Sequence, residues 1–130
     1  MFFCKQGLHL FEEMPLRQVR PNEISYNATI SLLEKGGQWE RALHLFLSMP
    51  ERQIAPNIIS YNATISALER GQQWQGALQL FGSMEEADIQ PDVVSYNSSI
   101  SCCNRVGQWQ TALNFFEAME QKTHICFSEL

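Results

Sequence analysis

The sequence predicts an all-α chain, a right-handed α-solenoid of stacked helix-turn-helix repeats. Three observations carry that prediction. The heptapeptide SYNATIS stands at Ser25–Ser31 and Ser60–Ser66 and returns as SYNSSIS at Ser95–Ser101, spaced by 35 residues both times. Between residues 21–55 and 56–90, 23 of 35 positions are identical, so the period belongs to the whole unit and not to the heptapeptide alone. Within each unit the apolar residues recur twice at helical spacing, with glycine or proline between the stripes. A fixed period of this size marks a repeat array, in which no unit can bury its apolar face alone and each stacks on its neighbours.

Residues from about Cys4 to Arg17 read as the second helix of an incomplete unit, with Leu8, Phe11 and Met14 in its stripe. HLFEEMPLRQVRP at His9–Pro21 aligns with HLFLSMPERQIAP at His44–Pro56, again 35 residues on. The division expected is 1–20 as a C-terminal half repeat, 21–55, 56–90 and 91–125 as repeats, and 126–130 as a frayed tail. Pro21 cannot continue a helix and marks the first joint. In the first complete unit, helix A is expected over about Ser25–Lys35, where Tyr26, Ile30 and Leu33 lie at i, i+4 and i+7. Asn22 or Ser25 caps its start. Gly36-Gly37 ends it, because glycine tolerates the left-handed conformation after a helix. Helix B is expected over about Trp39–Glu51, striped by Trp39, Ala42, Leu43, Phe46 and Met49, with Ile54 in the link to Pro56. The second unit repeats this with Tyr61, Ile65 and Leu68, a Gly71 turn, then Trp74, Ala77, Leu78, Phe81 and Met84. The third uses Tyr96, Ile100 and Cys103, then Gly107, then Trp109, Ala112, Leu113, Phe116 and Met119. Cys126 stands where the next proline is due, and Phe127 where an Asn or Asp would follow it.

The composition narrows the function classes. The chain has 130 residues, 45% apolar, enough for one continuous core, and a net charge of −5 that speaks against strong non-specific attraction to phosphate. The four cysteines are Cys4, the adjacent Cys102 and Cys103, and Cys126. None forms a CxxC pair, so they read as free thiols and no metal or other cofactor is expected. No run approaches the roughly 20 apolar residues that span a bilayer, so no membrane partner is expected. The N-terminal stretch shows no targeting peptide, lacking both an apolar h-region with a cleavage site and the Arg- and Ser-rich bias of organelle presequences.

The period of 35, with Ser25-Tyr26-Asn27, Gly37, Ala42-Leu43, Phe46, Met49, Ile54 and Pro56-Asn57 recurring in register, resembles the pentatricopeptide repeat. The resemblance covers nearly the whole chain. Tetratricopeptide repeats have a period of about 34 and a different helix A pattern. What the resemblance implies is a single-stranded RNA-binding module of organelles, mitochondrion or chloroplast, reading one base per repeat. It places the base-reading residues at the Asn after the Tyr and at the residue after the closing proline. Here these are Asn27 with Asn57, a pyrimidine-leaning pair, and Asn62 with Asp92, a uracil-leaning one. Asn97 would pair with Phe127, which has no polar group, and Asn22 has no partner. The resemblance also makes Ile24, Ile59 and Val94 the base-sandwiching residues, and Lys35, Arg70 and Arg105 the phosphate contacts.

Plainer readings stand beside these. Asn27, Asn62 and Asn97 each head an N-x-S/T sequon, or bond to local backbone near a helix start. Lys35, Arg70 and Arg105 complement the negative end of helix A. The tryptophans belong to the core rather than to a base-stacking platform. No catalytic constellation appears, neither a deaminase pattern nor an acidic metal-binding cluster, so the chain is expected not to be an enzyme and to take no small-molecule substrate. Two alternatives to RNA reading remain open. One is a protein-interaction solenoid with protein partners, and the other a fragment of a larger organellar RNA-processing or editing factor.

Overall fold

In the computed structural model every element among the described residues is helical, and these helices alternate along the chain as A and B. The structure describes residues 2–105, with side chains from residue 5 onward, together with residues 107, 110, 113, 114 and 117. Helix α1 spans Phe2–Leu16, α2 Glu23–Lys35, α3 Trp39–Ser48, α4 Ile58–Arg70, α5 Trp74–Glu86 and α6 Val93–Arg105, with a 3-10 turn at Pro50–Arg52. The expected helix B of the third unit, with Trp109, Ala112, Phe116 and Met119, and the tail with Cys126 and Phe127 lie outside the described residues.

Each A helix starts two residues earlier than the stripe suggested, because its cap is Asn22 in α2 and Asn57 in α4. Ser25 and Ser60 answer from the third helical position, their hydroxyls accepting from the cap backbone N–H. Both candidates for the first cap thus take part, as the two halves of one capping box. Helix B is shorter than expected in the first unit. There α3 stops at Ser48 and the chain tightens into the 3-10 turn at Pro50, whereas α1 carries Pro15, at the same register, inside its last turn, so proline alone does not set the end. Glu85 holds the same register in the second unit, and α5 runs on to Glu86.

The joints repeat as faithfully as the helices. After each B helix one residue is left-handed, Gln18, Gln53 and Asp88, with φ of 61–62°. The following N–H of Val19, Ile54 and Ile89 donates at 2.9 Å to the carbonyl of Met14, Met49 and Met84. This is a Schellman closure, with an aliphatic residue laid back on the methionine. After each A helix the left-handed residue is Gly37, Gln72 or Gly107. The Gly71 turn expected from the sequence is therefore corrected: Gly71 has φ of −83°, and the left-handed burden falls on Gln72. Gly71 is needed for a different reason. A Cβ there would lie 2.2 Å from Cδ1 of Trp39, so its bare backbone is the bed on which the indole of the preceding unit rests.

The core is the sum of the two stripes. Ile30, Leu33, Ala42, Met49, Ile65, Leu68, Ala77 and Met84 are buried, and Trp39 and Trp74 pack against them. Helix α2 lies across α3 and α4, and α4 across α5 and α6, so each A helix closes the seam to the next unit. That is the stacking of an α-solenoid.

Candidate functional site

The site is built on the first turns of the A helices. Tyr26, Tyr61 and Tyr96 point inward and meet Phe11, Phe46 and Phe81 of the preceding B helix edge-to-face, with ring centroids 4.9–5.1 Å apart. With the tyrosine anchored, the next residue is rotated by about 100° along the helix and falls at the seam with the following unit. That residue is Asn27 or Asn62.

Asn27 and Asn57 meet across this seam, although 30 residues separate them. Asn27 Nδ2 donates to Asn57 Oδ1 at 3.0 Å, and the Ser60 hydroxyl donates to Asn27 Oδ1. The second seam is built alike, with Asn62 Nδ2 donating to Asp92 Oδ1 at 3.0 Å and Ser95 Oγ to Asn62 Oδ1 at 2.5 Å. Asn57 and Asp92 are also helix caps. Asn57 Oδ1 accepts the N–H groups of Ile59 and Ser60 at 3.1 Å each, and Asp92 Oδ1 that of Ser95 at 3.0 Å. Asn57 Nδ2 turns the other way, toward Glu23 Oε1 at 3.4 Å.

Burial alone would raise the Asp92 pKa. The bonds from Ser95 N–H, the Asn62 amide, the Ser95 hydroxyl and Val94 N–H outweigh it and hold the carboxyl below its ordinary 3.8. Asp92 is thus an anion at neutral pH, with Oδ1 committed to the cap. Asn97 is exposed, and its expected partner Phe127 lies outside the described residues.

Ile24, Ile59 and Val94 stand on the solvent side of the same turns, 71%, 54% and 51% exposed, a degree of exposure that core packing does not explain. An open groove of about 650 Å³ runs along the joint between Asn22, Glu23 and the loop carrying Gln53 and Ile54.

The basic ladder lies at the far end of the A helices, eight residues or about 12 Å beyond the asparagines. Lys35, Arg70 and Arg105 are exposed, but the two arginines are engaged. Arg70 Nη1 lies 3.4 Å from Glu34 Oε2 and Arg105 Nη2 3.3 Å from Glu69 Oε2, each clasping the A helix of the preceding unit. Those carboxylate oxygens are buried and make no well-formed hydrogen bond, so the arginines are their only compensation among the described residues. Sequence reasoning missed this role for Glu34 and Glu69, and also missed Ser60 and Ser95. The signal was present in both cases, since each residue recurs at the 35-residue period beside a residue already singled out.

The plainer readings separate here. The Asn27 sequon is closed to a glycan, because Asn27 and Thr29 are both buried and Thr29 Oγ1 donates to the Ser25 carbonyl at 2.8 Å. Trp39 and Trp74 belong to the core. No group of three metal-ligating side chains exists among the described residues, and none of the described helices is long and apolar enough to cross a membrane.

Against known proteins, the PPR repeat family matches residues 21–70 and 56–105, and a further PPR repeat matches residues 94–124. Among solved structures, the chain superimposes on the pentatricopeptide repeat protein PPR10 from maize with a TM-score of 0.80 at 25% identity, covering 91% of this chain and 17% of that one. It matches PPR10 in complex with an 18-nt psaJ RNA element at the same TM-score and 27% identity, covering 92% of this chain and 18% of that one. The PPR domain of Arabidopsis thaliana protein-only RNase P 1, solved in complex with tRNA, matches with a TM-score of 0.80 at 17% identity, over 92% of this chain and 62% of that one, and speaks for the fold alone. The chain thus spans less than a fifth of the length of the maize protein. Among curated proteins there is no significant match.

Proposed function

The chain belongs to the pentatricopeptide repeat family, and from that premise we propose that it is a non-catalytic, single-stranded RNA-binding module reading one base at each complete seam. The observation that carries this reading is the pairing of Asn27 with Asn57 and of Asn62 with Asp92, each at 3.0 Å across a seam. Exposed aliphatic residues stand on the same edge, and the maize relative solved with RNA supports the ligand class.

The two seams offer different chemistry. Asn57 Oδ1 is filled by the cap and by Asn27, and one Nδ2 N–H goes to Glu23, so its unspent capacity is the second N–H of Nδ2. A donor suits N3 of cytosine, which is an acceptor. Asp92 keeps Oδ2 for an incoming group, and an anionic acceptor suits the N3–H of uracil. The first seam therefore leans to cytosine within a pyrimidine preference, and the second to uracil. Ile24, Ile59 and Val94 then sandwich the bases. Lys35 and the exposed faces of Arg70 and Arg105 meet the backbone phosphates. Service in a mitochondrion or chloroplast, in RNA processing, stability or translation, follows from the family rather than from any residue here.

Two reading seams at about 1–3 kcal/mol per base supply roughly 2–6 kcal/mol before association costs. That corresponds to about tens of micromolar at best, so the isolated chain binds RNA weakly. The decisive experiment extends the array with consensus repeats and measures base preference at the second seam. Asn62→Thr with Asp92 kept is expected to move that position from uracil toward guanine. An unchanged preference would sink the assignment of Asn62 as a base contact.

A further inference from the structure

We infer that Ser60 and Ser95 are positioning residues for base reading: each fixes the amide of the reading asparagine so that a donor, and not an acceptor, is left for the base. The inference rests on the reading of bases at the two seams and names what gives that reading its polarity. An asparagine amide carries an acceptor oxygen at one end and a donor nitrogen at the other, and a half turn about its last bond exchanges them. It selects a base only where its neighbours decide which end points which way. Here two groups of the following unit decide it. Asn57 Oδ1 already accepts the N–H groups of Ile59 and Ser60, and Asp92 is an anion. Both cap oxygens can therefore only accept, and each takes an N–H of the reading asparagine at 3.0 Å. The serine hydroxyls each accept the cap residue's N–H at 3.1 Å and give their own hydrogen to the asparagine oxygen, Ser60 to Asn27 and Ser95 to Asn62. The cap oxygens lie farther from these hydroxyls, at 3.1 and 3.0 Å, and do not win the hydrogen. Both serines are fully buried. The amide oxygen is thereby turned to the protein, and the second N–H of Nδ2 remains for a ligand.

Capping alone does not call for a hydroxyl. The third helical position of a capping box commonly holds Glu or Gln. A carboxylate there would accept the cap N–H equally well, but it has no hydrogen to give the asparagine oxygen. A serine does both with one atom. Ser25 shows the capping role by itself: it closes the same box with Asn22, and no asparagine from another helix reaches it among the described residues. The polarity decides which bases fit. Cytosine and uracil both carry the carbonyl oxygen O2, whereas adenine has no carbonyl and carries an amino donor at N6. An asparagine held with its N–H outward favours the pyrimidines. Without the serine the amide is held at one end only, can turn its oxygen out, and then accepts from the adenine amino group.

The test titrates the full chain, by fluorescence anisotropy, with labelled oligouridine and oligoadenosine of equal length. The wild type is expected to favour oligouridine, and S95A to cut that preference about fivefold, the worth of one hydrogen bond. S25A removes the same capping bond without touching a reading asparagine, and is expected to leave the ratio unchanged. Any loss of affinity common to both RNAs measures the cap and cancels in the ratio. Far-UV circular dichroism checks the fold, and if S95A loses its helices, S60A makes the same change at the first seam. Three results would overturn the inference. A preference kept in the folded serine variant would leave the serines as caps only, with base reading intact. An equal loss of preference in S25A would trace the effect to capping. A wild type that does not distinguish the two RNAs would remove base reading itself, and this role with it.

Discussion

Gln72 occupies the one place after an A helix where the other two units use glycine. Its φ of 61° matches Gly37 at 71° and Gly107 at 75°, and its Cβ bears the crowding that glycine escapes. Gln72→Gly is expected to raise stability by about 1 kcal/mol in urea denaturation, with an unchanged m-value. Gln18, Gln53 and Asp88 share that φ after the B helices, so left-handed joints are not reserved for glycine in this chain. For that reason the sequence marked the joints correctly and misplaced the strained residue by one.

Cys102 makes the second residue-scale prediction. Burial, and then the nearby Glu69 and Cys103, push its thiol from 9.0 up to about 12. Between those values the unfolded chain releases the proton and the folded chain keeps it, so the Cys102 contribution to stability falls as pH rises above 9 and is constant below. At pH 8 iodoacetamide is expected to leave Cys102 unmodified in the native chain and to label it at once in denaturant, as mass spectrometry of the labelled peptide would show. Rapid labelling of the native thiol would contradict its burial.

At the scale of the element, paired glycine substitutions separate packing from propensity. Gly71→Ala would drive its Cβ into Trp39 and is expected to cost about 1–3 kcal/mol in thermal or urea unfolding. Gly82 sits inside α5 with nothing within 4 Å of where an added methyl would lie, and Gly82→Ala is expected to gain about 0.5–1 kcal/mol. Opposite signs for two Gly→Ala changes would establish that Gly71 is fixed by its neighbour. The helices themselves were legible from period and stripe, because Tyr26, Ile30 and Leu33 can share a buried face only on a helix. Their ends were less so. Asn22 and Ser25 both looked like caps since they work as a pair, and the earlier stop of α3, in a register where α1 runs on through Pro15, is a local difference that the repeat average conceals.

On the scale of the whole molecule, the arginine ladder is partly an internal brace. With Arg70 and Arg105 each shared with a buried carboxylate, few full counterion equivalents remain to be released on RNA binding. The dependence of log K on log salt is expected to be shallow, a slope of about −1 where three free cations would give about −2. E34Q and E69Q, which free the arginines, are expected to steepen it, as fluorescence anisotropy across a salt series would measure. Such bracing was beyond a linear reading. Glu34 and Arg70 lie 36 residues apart, and only the stacking of one A helix on the next sets them side by side.

The asparagine seams carry a last consequence. A polar group buried with no partner exacts a heavy penalty, and that penalty is how most tight sites reject an incorrect ligand. Here Asn27 and Asn57, or Asn62 and Asp92, hold each other when nothing else does. If these seams read bases as proposed, a mismatched base strands no group of the protein, because the pair stays satisfied. On the proposed reading, each unit alone is then a lenient judge of its base, and stringency accumulates only over many seams in series.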